Sequence, residues 1–356
     1  MAEMVLEPLH KSESPHLRLF LSADIVGSTA FKQNASALQA QEQSATHSHV
    51  NRSPFPSWFT IVLQFYQQAE QSFAMQWQEI STQNTSGDGD DFFGDPPELW
   101  KTIGDEVLFS KRIDHPWQAV VCMHAWVATI EGLRGFLTDN KLNVKSTAWL
   151  ADFPLRNNEI VLRKVTTSTL QDADDTYILN NQNALRDYYE TNSSGYIRDF
   201  IGPSIDTGFR ITQFASVRKL AISIELAYLL SCEQVRATKE PKLYARGNYV
   251  LPSFTLKYDG QQHLKGVLNG QAYPIFWIDL DPNNPLSLAE DKVTNNPKPS
   301  APDIFHLADT FIESQPRPAG QLGARPSHMT KSKFLELTRQ RGERQAVALA
   351  RNQDVR

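Results

Sequence analysis

The chain has 356 residues, a formal net charge of −5 and 40% hydrophobic residues, enough for one large domain or two small ones with a buried core. A slightly acidic chain argues against general nucleic-acid binding. Without a run of about 18 apolar residues, no membrane span is expected. The two cysteines, Cys122 and Cys232, lie far apart in apolar segments and form no metal-ligand spacing, which fits buried thiols in a reducing cytoplasm.

Residues 1–16 are polar, lack an apolar signal core and read as a flexible leader. Residues 17–26 have strand composition and run through Asp24 into a Gly27-Ser28-Thr29 turn. Residues 34–56 are rich in Gln, Ser, Ala and Asn and read as a short polar helix and a loop. His47 and His49 lie there without a partner cluster and read as surface histidines. Residues 57–80 carry apolar residues at helical spacing, among them Trp58, Phe59, Phe65, Tyr66, Phe73 and Trp77. The acidic loop at 82–97 contains Asp88-Gly89-Asp90-Asp91. It is no EF-hand, because Leu99 stands where the twelfth-position Glu belongs and no Gly is at the sixth.

Next comes Trp100-Lys101-Thr102-Ile103-Gly104-Asp105-Glu106-Val107-Leu108-Phe109, a Gly-Asp turn between apolar stretches, read as a hairpin with a carboxylate at its tip. His115-Pro116-Trp117 opens a helix to about Leu137, and 141–150 alternates like a strand. Residues 152–195 form a long polar segment with a weak helix signal at Ala184–Tyr189. A helix is expected over Pro203–Ser216, then a strand and short helix over Arg218–Leu230, and a closing hairpin over 260–279. From 281 to 326 Pro, Asn, Ser and Gly dominate and predict a linker; a basic, helix-like stretch at 331–351 completes a tail.

Asp24 or Asp105 taken alone is a plausible turn residue. Taken together, two carboxylates at the ends of neighbouring strands suit two hard divalent cations that clamp a triphosphate. The two stretches resemble the class III nucleotidyl cyclase family, whose metal Asp residues lie in a strand ending Asp-Ile-x-x-(Ser/Phe)-Thr and in Lys-x-x-Gly-Asp. A third stretch, Asp199-Phe200-Ile201-Gly202-Pro203-Ser204-Ile205-Asp206-Thr207-Gly208-Phe209-Arg210, is similar to that family's helix start, with Asp206 in place of its Asn and Gly208 in place of its Ala.

The resemblance implies an α+β fold: a ferredoxin-like βαββαβ catalytic domain over 17–280, with insertions near 34–56, 82–97 and 152–195, and a tail over 281–356. It implies metal ligands Asp24, Ile25 and Asp105 for two Mn²⁺ or Mg²⁺ ions, base contacts from Lys101 and Asp199, and catalytic roles for Arg210 and Asp206. Lys265, in the closing hairpin, is a candidate phosphate contact. Trp58 or Phe59 on the aromatic helix, or Tyr66, can lean over a base. It further implies a head-to-tail homodimer with two shared sites.

The form of these motifs, the long insertions and the lack of a sensor or membrane domain resemble the stand-alone pyrimidine cyclases of bacterial Pycsar antiphage systems, over roughly residues 17–280. That resemblance implies UTP, or alternatively CTP, as substrate, and a separate effector protein that reads the cyclic nucleotide. The Lys101–Asp199 pair on its own matches adenylate cyclases, which leaves ATP open, and a non-catalytic binding module is the remaining class.

Overall fold

The computed structural model describes residues 16–35, 57–82, 92–154, 156–163, 174–191, 196–244, 249–294 and 299–315. His47, His49, the Asp88–Asp91 loop and the basic stretch at 331–351 lie outside the described residues. The elements run β1 (His16–Val26), α1 (residues 28–35), α2 (Ser57–Thr82), β2 (Glu98–Ile103), β3 (Glu106–Ile113), α3 (Pro116–Thr138), β4 (Asn143–Phe153), β5 (Asn158–Arg163), α4 (Asp174–Thr191), β6 (Tyr196–Ile201), α5 (Pro203–Ile211), β7 (Lys219–Ile222), α6 (Ile224–Lys239), α7 (Pro241–Tyr244), β8 (Leu256–His263), β9 (Ala272–Asp279), α8 (Pro285–Val293) and α9 (Ala301–Ser314). They form two compact units. The larger comprises 18–150 and 207–314; the smaller comprises 151–206 with 16–17 and 315.

The larger unit is α+β, built on a mixed seven-stranded sheet of order β2-β3-β1-β4-β7-β9-β8. Its first half is β1–α2–β2–β3–α3–β4, with the four strands ordered β4-β1-β3-β2, which is the expected ferredoxin-like βαββαβ pattern. The β4–β7 pairing is parallel, with Thr147 opposite Ala221, whereas β2–β3, β7–β9 and β8–β9 are antiparallel. β1 lies inside the sheet, and Leu19, Phe20, Leu21 and Ala23 are wholly buried. A strand covered on both faces reads as largely apolar, which is how 17–26 appears in the sequence, with Arg18, Ser22 and Asp24 as its polar members.

α2 turns Val62, Phe65, Ala69, Phe73 and Trp77 inward. Phe73 meets Phe109 of β3 and Trp126 of α3 edge-on, at 5.2 and 4.9 Å between ring centroids. α3 has the length and hydropathy of a membrane span, but Ala119–Met123, Trp126 and Ile130 are wholly buried within this unit. One polar thread ties it to the sheet: Trp126 Nε1 donates to Ser146 Oγ (2.9 Å), which donates to the Ser22 carbonyl (2.7 Å), joining α3, β4 and β1. Of the two expected buried thiols, Cys122 is fully buried and Cys232 only half-buried. Burial pushes the Cys122 thiol up to about 12.

Two expectations from composition need correction. Residues 285–314, expected within a linker, hold two helices of the larger unit. The Asn and Pro that suggested a break are start signals: Asn284 caps α8 by accepting from the Leu286 amide (2.9 Å), with Pro285 in the first turn. α9 buries Ile304, Ala308 and Ile312 at four-residue spacing, and its Phe305 stacks near Tyr228 of α6 at 5.1 Å. α8 is held by ion pairs, because Arg218 binds both Asp279 (2.7 Å) and Asp291 (2.9 Å), and Lys257 also binds Asp291 (2.7 Å).

The polar segment at 152–195 likewise holds β5 and α4. β5 pairs antiparallel with β6, Glu159 opposite Phe200 and Val161 opposite Arg198. The Asn181 side chain of α4 bonds both the Val161 amide (2.9 Å) and the Glu159 carbonyl (3.0 Å), completing the edge of the ribbon. Glu159 is buried but paired with Arg198 (3.4 Å) and the Tyr189 hydroxyl (2.9 Å), so a charged residue sits in a strand that its polarity disguised. The expected helix Pro203–Ser216 ends at Ile211 and continues as a single 3₁₀ turn over Thr212–Phe214.

On the larger unit, Phe20, Trp100, Trp149 and Phe209 form one aromatic cluster: Phe20 stacks on Trp149 at 5.5 Å and meets Trp100 edge-on at 5.1 Å, and Phe209 lies 5.5 Å from Trp149 and 6.1 Å from Trp100. Gly208 is pressed against this cluster, and a Cβ there would stand 2.3 Å from the Trp149 ring carbons. Gly208→Ala is therefore expected to cost about 1–3 kcal/mol of stability through overpacking. In thermal melts, Trp149→Leu combined with Gly208→Ala is expected to lose less than the sum of the two single losses; strict additivity would place the clash elsewhere.

Candidate active site

The site grows from two chain reversals that meet. β1 ends at Val26, and Gly27 turns the chain with φ +84° into α1, a conformation that L side chains rarely adopt. β2 and β3 are joined by Gly104, at φ +65°, and Asp105. The Ile25 amide donates to the Asp105 carbonyl at 3.4 Å, so the end of β1 and the hairpin tip lie side by side, bringing Asp24 and Asp105 together as expected.

Each carboxylate has an ammonium against it. Lys145 Nζ of β4 lies 3.0 Å from Asp24 Oδ2, and Lys32 Nζ of α1 lies 3.2 Å from Asp105 Oδ1. Ser28 Oγ donates to Asp105 Oδ2, and the Tyr66 hydroxyl of α2 donates to the Gly104 carbonyl. Lys32 also lies 5.9 Å from the ring centroid of Trp58, which sets that aromatic beside the pair; Phe59 packs edge-on to Trp58 at 6.0 Å. Among the aromatics of α2, Tyr66 is tied to the hairpin tip.

The electrostatics are those of crowded acids. Burial pushes the Asp24 carboxyl up; the Lys145 hydrogen bond and charge oppose this, and the Asp105 charge adds to it. Glu106 is pushed up by burial, with a Ser22 hydrogen bond opposing and the Asp24 charge adding. Burial, then the Asp105 charge, raises the Tyr66 hydroxyl. A carboxyl raised above its unfolded value contributes stability below the ordinary carboxylate range, and that contribution is lost as pH rises through the raised value. At neutral pH burial, with the neighbouring acidic charge adding to it, thus disfavours the ionised forms of Asp24 and Glu106.

The donor chemistry fits a hard divalent ion. Asp24 and Asp105 offer carboxylate oxygens, and Ile25, apolar in its side chain, can contribute only its backbone carbonyl. Among the described residues no group of three or more His, Cys, Asp or Glu side chains forms a metal-holding cluster.

Lys101, Arg210 and Lys265 also belong to the larger unit. Lys101 extends along the aromatic cluster, its Nζ 4.1 Å from the Trp100 ring centroid and 6.0 Å from that of Phe209. Arg210 is exposed in the last turn of α5. Lys265 is exposed in the connection between β8 and β9, at the end of the strand order opposite β2. Asp199 and Asp206 belong to the smaller unit. Asp199 sits on β6 opposite Ile160, its Oδ1 accepting from the Phe200 amide at 2.9 Å, and Asp206 is exposed in the first turn of α5.

Sequence reasoning passed over Lys145, Lys32, Ser28 and Glu106. Ser28 stood in the recognised turn. Lys145, a charged residue inside an alternating strand, was the remaining signal.

No protein-family model and no curated protein matches the chain. Among solved structures it is similar to the adenylyl cyclase CyaB from P. aeruginosa, at 10% identity and a TM-score of 0.41 over 74% of this chain and 94% of that one. It is similar to the catalytic core of a rhodopsin-guanylyl cyclase with converted specificity, at 11% and 0.41 over 76% and 99%. A third, a bacterial light-regulated adenylyl cyclase, gives 10% and 0.37 over 75% and 93%. Likeness at this level assigns no chemistry to this chain.

The Tyr66 hydroxyl is expected to position the hairpin tip. Tyr66→Phe should cost about 0.5–1.5 kcal/mol, the value of one hydrogen bond. It should also speed amide hydrogen exchange at Gly104, Asp105 and Glu106 while leaving that of β7 and β9 unchanged. Unchanged exchange at the tip would refute the role.

Proposed function

We propose that this chain is a nucleotidyl cyclase, joining the ribose 3′-oxygen of a nucleoside triphosphate to its α-phosphorus as pyrophosphate leaves. The observation that carries this reading is the meeting of Asp24, at the end of β1, with Asp105, at the β2–β3 tip, within hydrogen-bonded turns and flanked by two lysines. Two divalent ions held there would supply Lewis acidity to the 3′-hydroxyl and charge neutralisation to the pyrophosphate. Asp24, Asp105 and the Ile25 carbonyl would hold them, and Ser28 and Tyr66 keep the Asp105 turn in place.

The sequence resemblance supplies the remaining roles. Lys101 and Asp199 contact the base, Arg210 offsets charge that develops in the transition state, and Asp206 and Lys265 are further candidates. The chain carries one copy of each motif, so the resemblance distributes the two sets over a head-to-tail homodimer with two sites. The finer reading rests on the same resemblance: UTP converted to cyclic UMP with Mn²⁺, CTP as the alternative and ATP after it, as a second-messenger synthase in antiphage defence acting through a separate effector.

The test is incubation of the purified protein with ATP, GTP, CTP, UTP and Mn²⁺, and identification of the product by mass. Cyclic UMP is expected. Arg210→Ala should lower turnover about 10²–10³-fold, as loss of an electrostatic donor does. Asp24→Ala and Arg210→Ala chains, each severely impaired apart, should recover activity when mixed under conditions of subunit exchange. Bound triphosphate and Mn²⁺ with no cyclic product from any of the four would overturn the reading.

A further inference from the structure

The two lysines at the carboxylate pair are placed where cations are wanted. Lys145 binds Asp24 and Lys32 binds Asp105, one ammonium to each acid, and all four side chains are only about a quarter to a third exposed (31%, 28%, 27% and 23%). Among the described residues, the charged groups at the pair include these four and Glu106. Three carboxylates against two ammoniums leave one net negative charge when all are ionised. Without the lysines the same group would carry three negative charges and attract any divalent ion.

A bare divalent cation approaching Asp24 and Asp105 meets two ammoniums at hydrogen-bond distance from the same oxygens, and like charges at such separations repel strongly in a partly desolvated site. The complex of that cation with a triphosphate carries its own negative charge, which the lysines attract. We infer that Lys32 and Lys145 are resident counter-ions that keep bare divalent ions out of the Asp24–Asp105 pair and admit them as the metal–triphosphate complex. Metal and nucleotide then enter together, and the carboxylates stay neutralised between turnovers. The inference rests on the proposed function only in placing the cation at this pair.

The test uses the full chain with Mn²⁺ alone, followed by electron paramagnetic resonance, and with Mn²⁺–tripolyphosphate, followed by calorimetry; neither readout depends on catalysis or on the base. Lys32→Met and Lys145→Met, each checked for an unchanged melting temperature, are expected to bind bare Mn²⁺ about tenfold more tightly than the parent, the removal of one adjacent like charge. They are expected to bind the Mn²⁺–tripolyphosphate complex more weakly. Lys32→Met keeps a long side chain beside Trp58 and serves as the readout should Lys145→Met, within the sheet, misfold. Both Met variants binding bare Mn²⁺ as weakly as the parent, while Asp24→Asn loses it, would overturn the counter-ion role and leave the metal site standing. Mn²⁺ binding that survives Asp24→Asn would overturn both. The expected opposite changes, with no triphosphate cyclised, would uphold the counter-ions and remove the cyclase reading alone.

Discussion

Two carboxylates held side by side in a partly buried turn are a liability that folding must offset. Burial first, and the Asp105 charge beside it, oppose ionisation of Asp24. What holds them there is not the acids but the backbone around them: the Ile25 amide on the Asp105 carbonyl, the Tyr66 hydroxyl on the Gly104 carbonyl, and two glycines in left-handed conformations that let both turns close. The lysines offset the charge, while the geometry is set by groups that carry none.

That backbone is itself fixed by the most buried part of the larger unit. β1 has wholly buried residues on both faces, and its Ser22 carbonyl is reached by the Trp126–Ser146 chain from α3 and β4. A buried polar thread of this kind is satisfied in one register only. Sliding β1 by a single residue would exchange its two faces and leave the thread unpaired. The position of Asp24 at the end of β1 therefore follows from packing far from the carboxylate itself.

The halves of the site differ in how legible they are in the sequence. Asp24 and Asp105 could be read because each sits at a local signal, a strand meeting a Gly-Ser-Thr turn and a Gly-Asp hairpin tip, and local signals survive without knowledge of the fold. Lys145 could not be paired with Asp24 from the sequence, because the contact exists only once β4 lies next to β1 in the sheet order. β5 was hidden for a related reason. Its Glu159 looks like a surface residue until Arg198 and Tyr189 arrive from later in the chain. At 285–314, Asn284 and Pro285 were read as breakers although they are helix-start residues, and the four-residue spacing of Ile304, Ala308 and Ile312 was the stronger signal.

The aromatic cluster bears on Lys101. Phe20 and Trp149 are wholly buried, Trp100 and Phe209 lean on them, and Gly208 leaves Trp149 no room to shift. The Lys101 ammonium rests over this fixed surface, 4.1 Å from the Trp100 ring centroid, a separation at which the π face attracts a cation. A lysine held so loses less conformational freedom on meeting a ligand than one waving in solvent, because part of its ordering is already done. The same stack makes its removal costly to the hairpin, since Trp100 and Lys101 sit in β2 at a register irregularity opposite β3. The surface that orders Lys101 thus also fixes the strand that leads to Asp105, and the two cannot be altered independently.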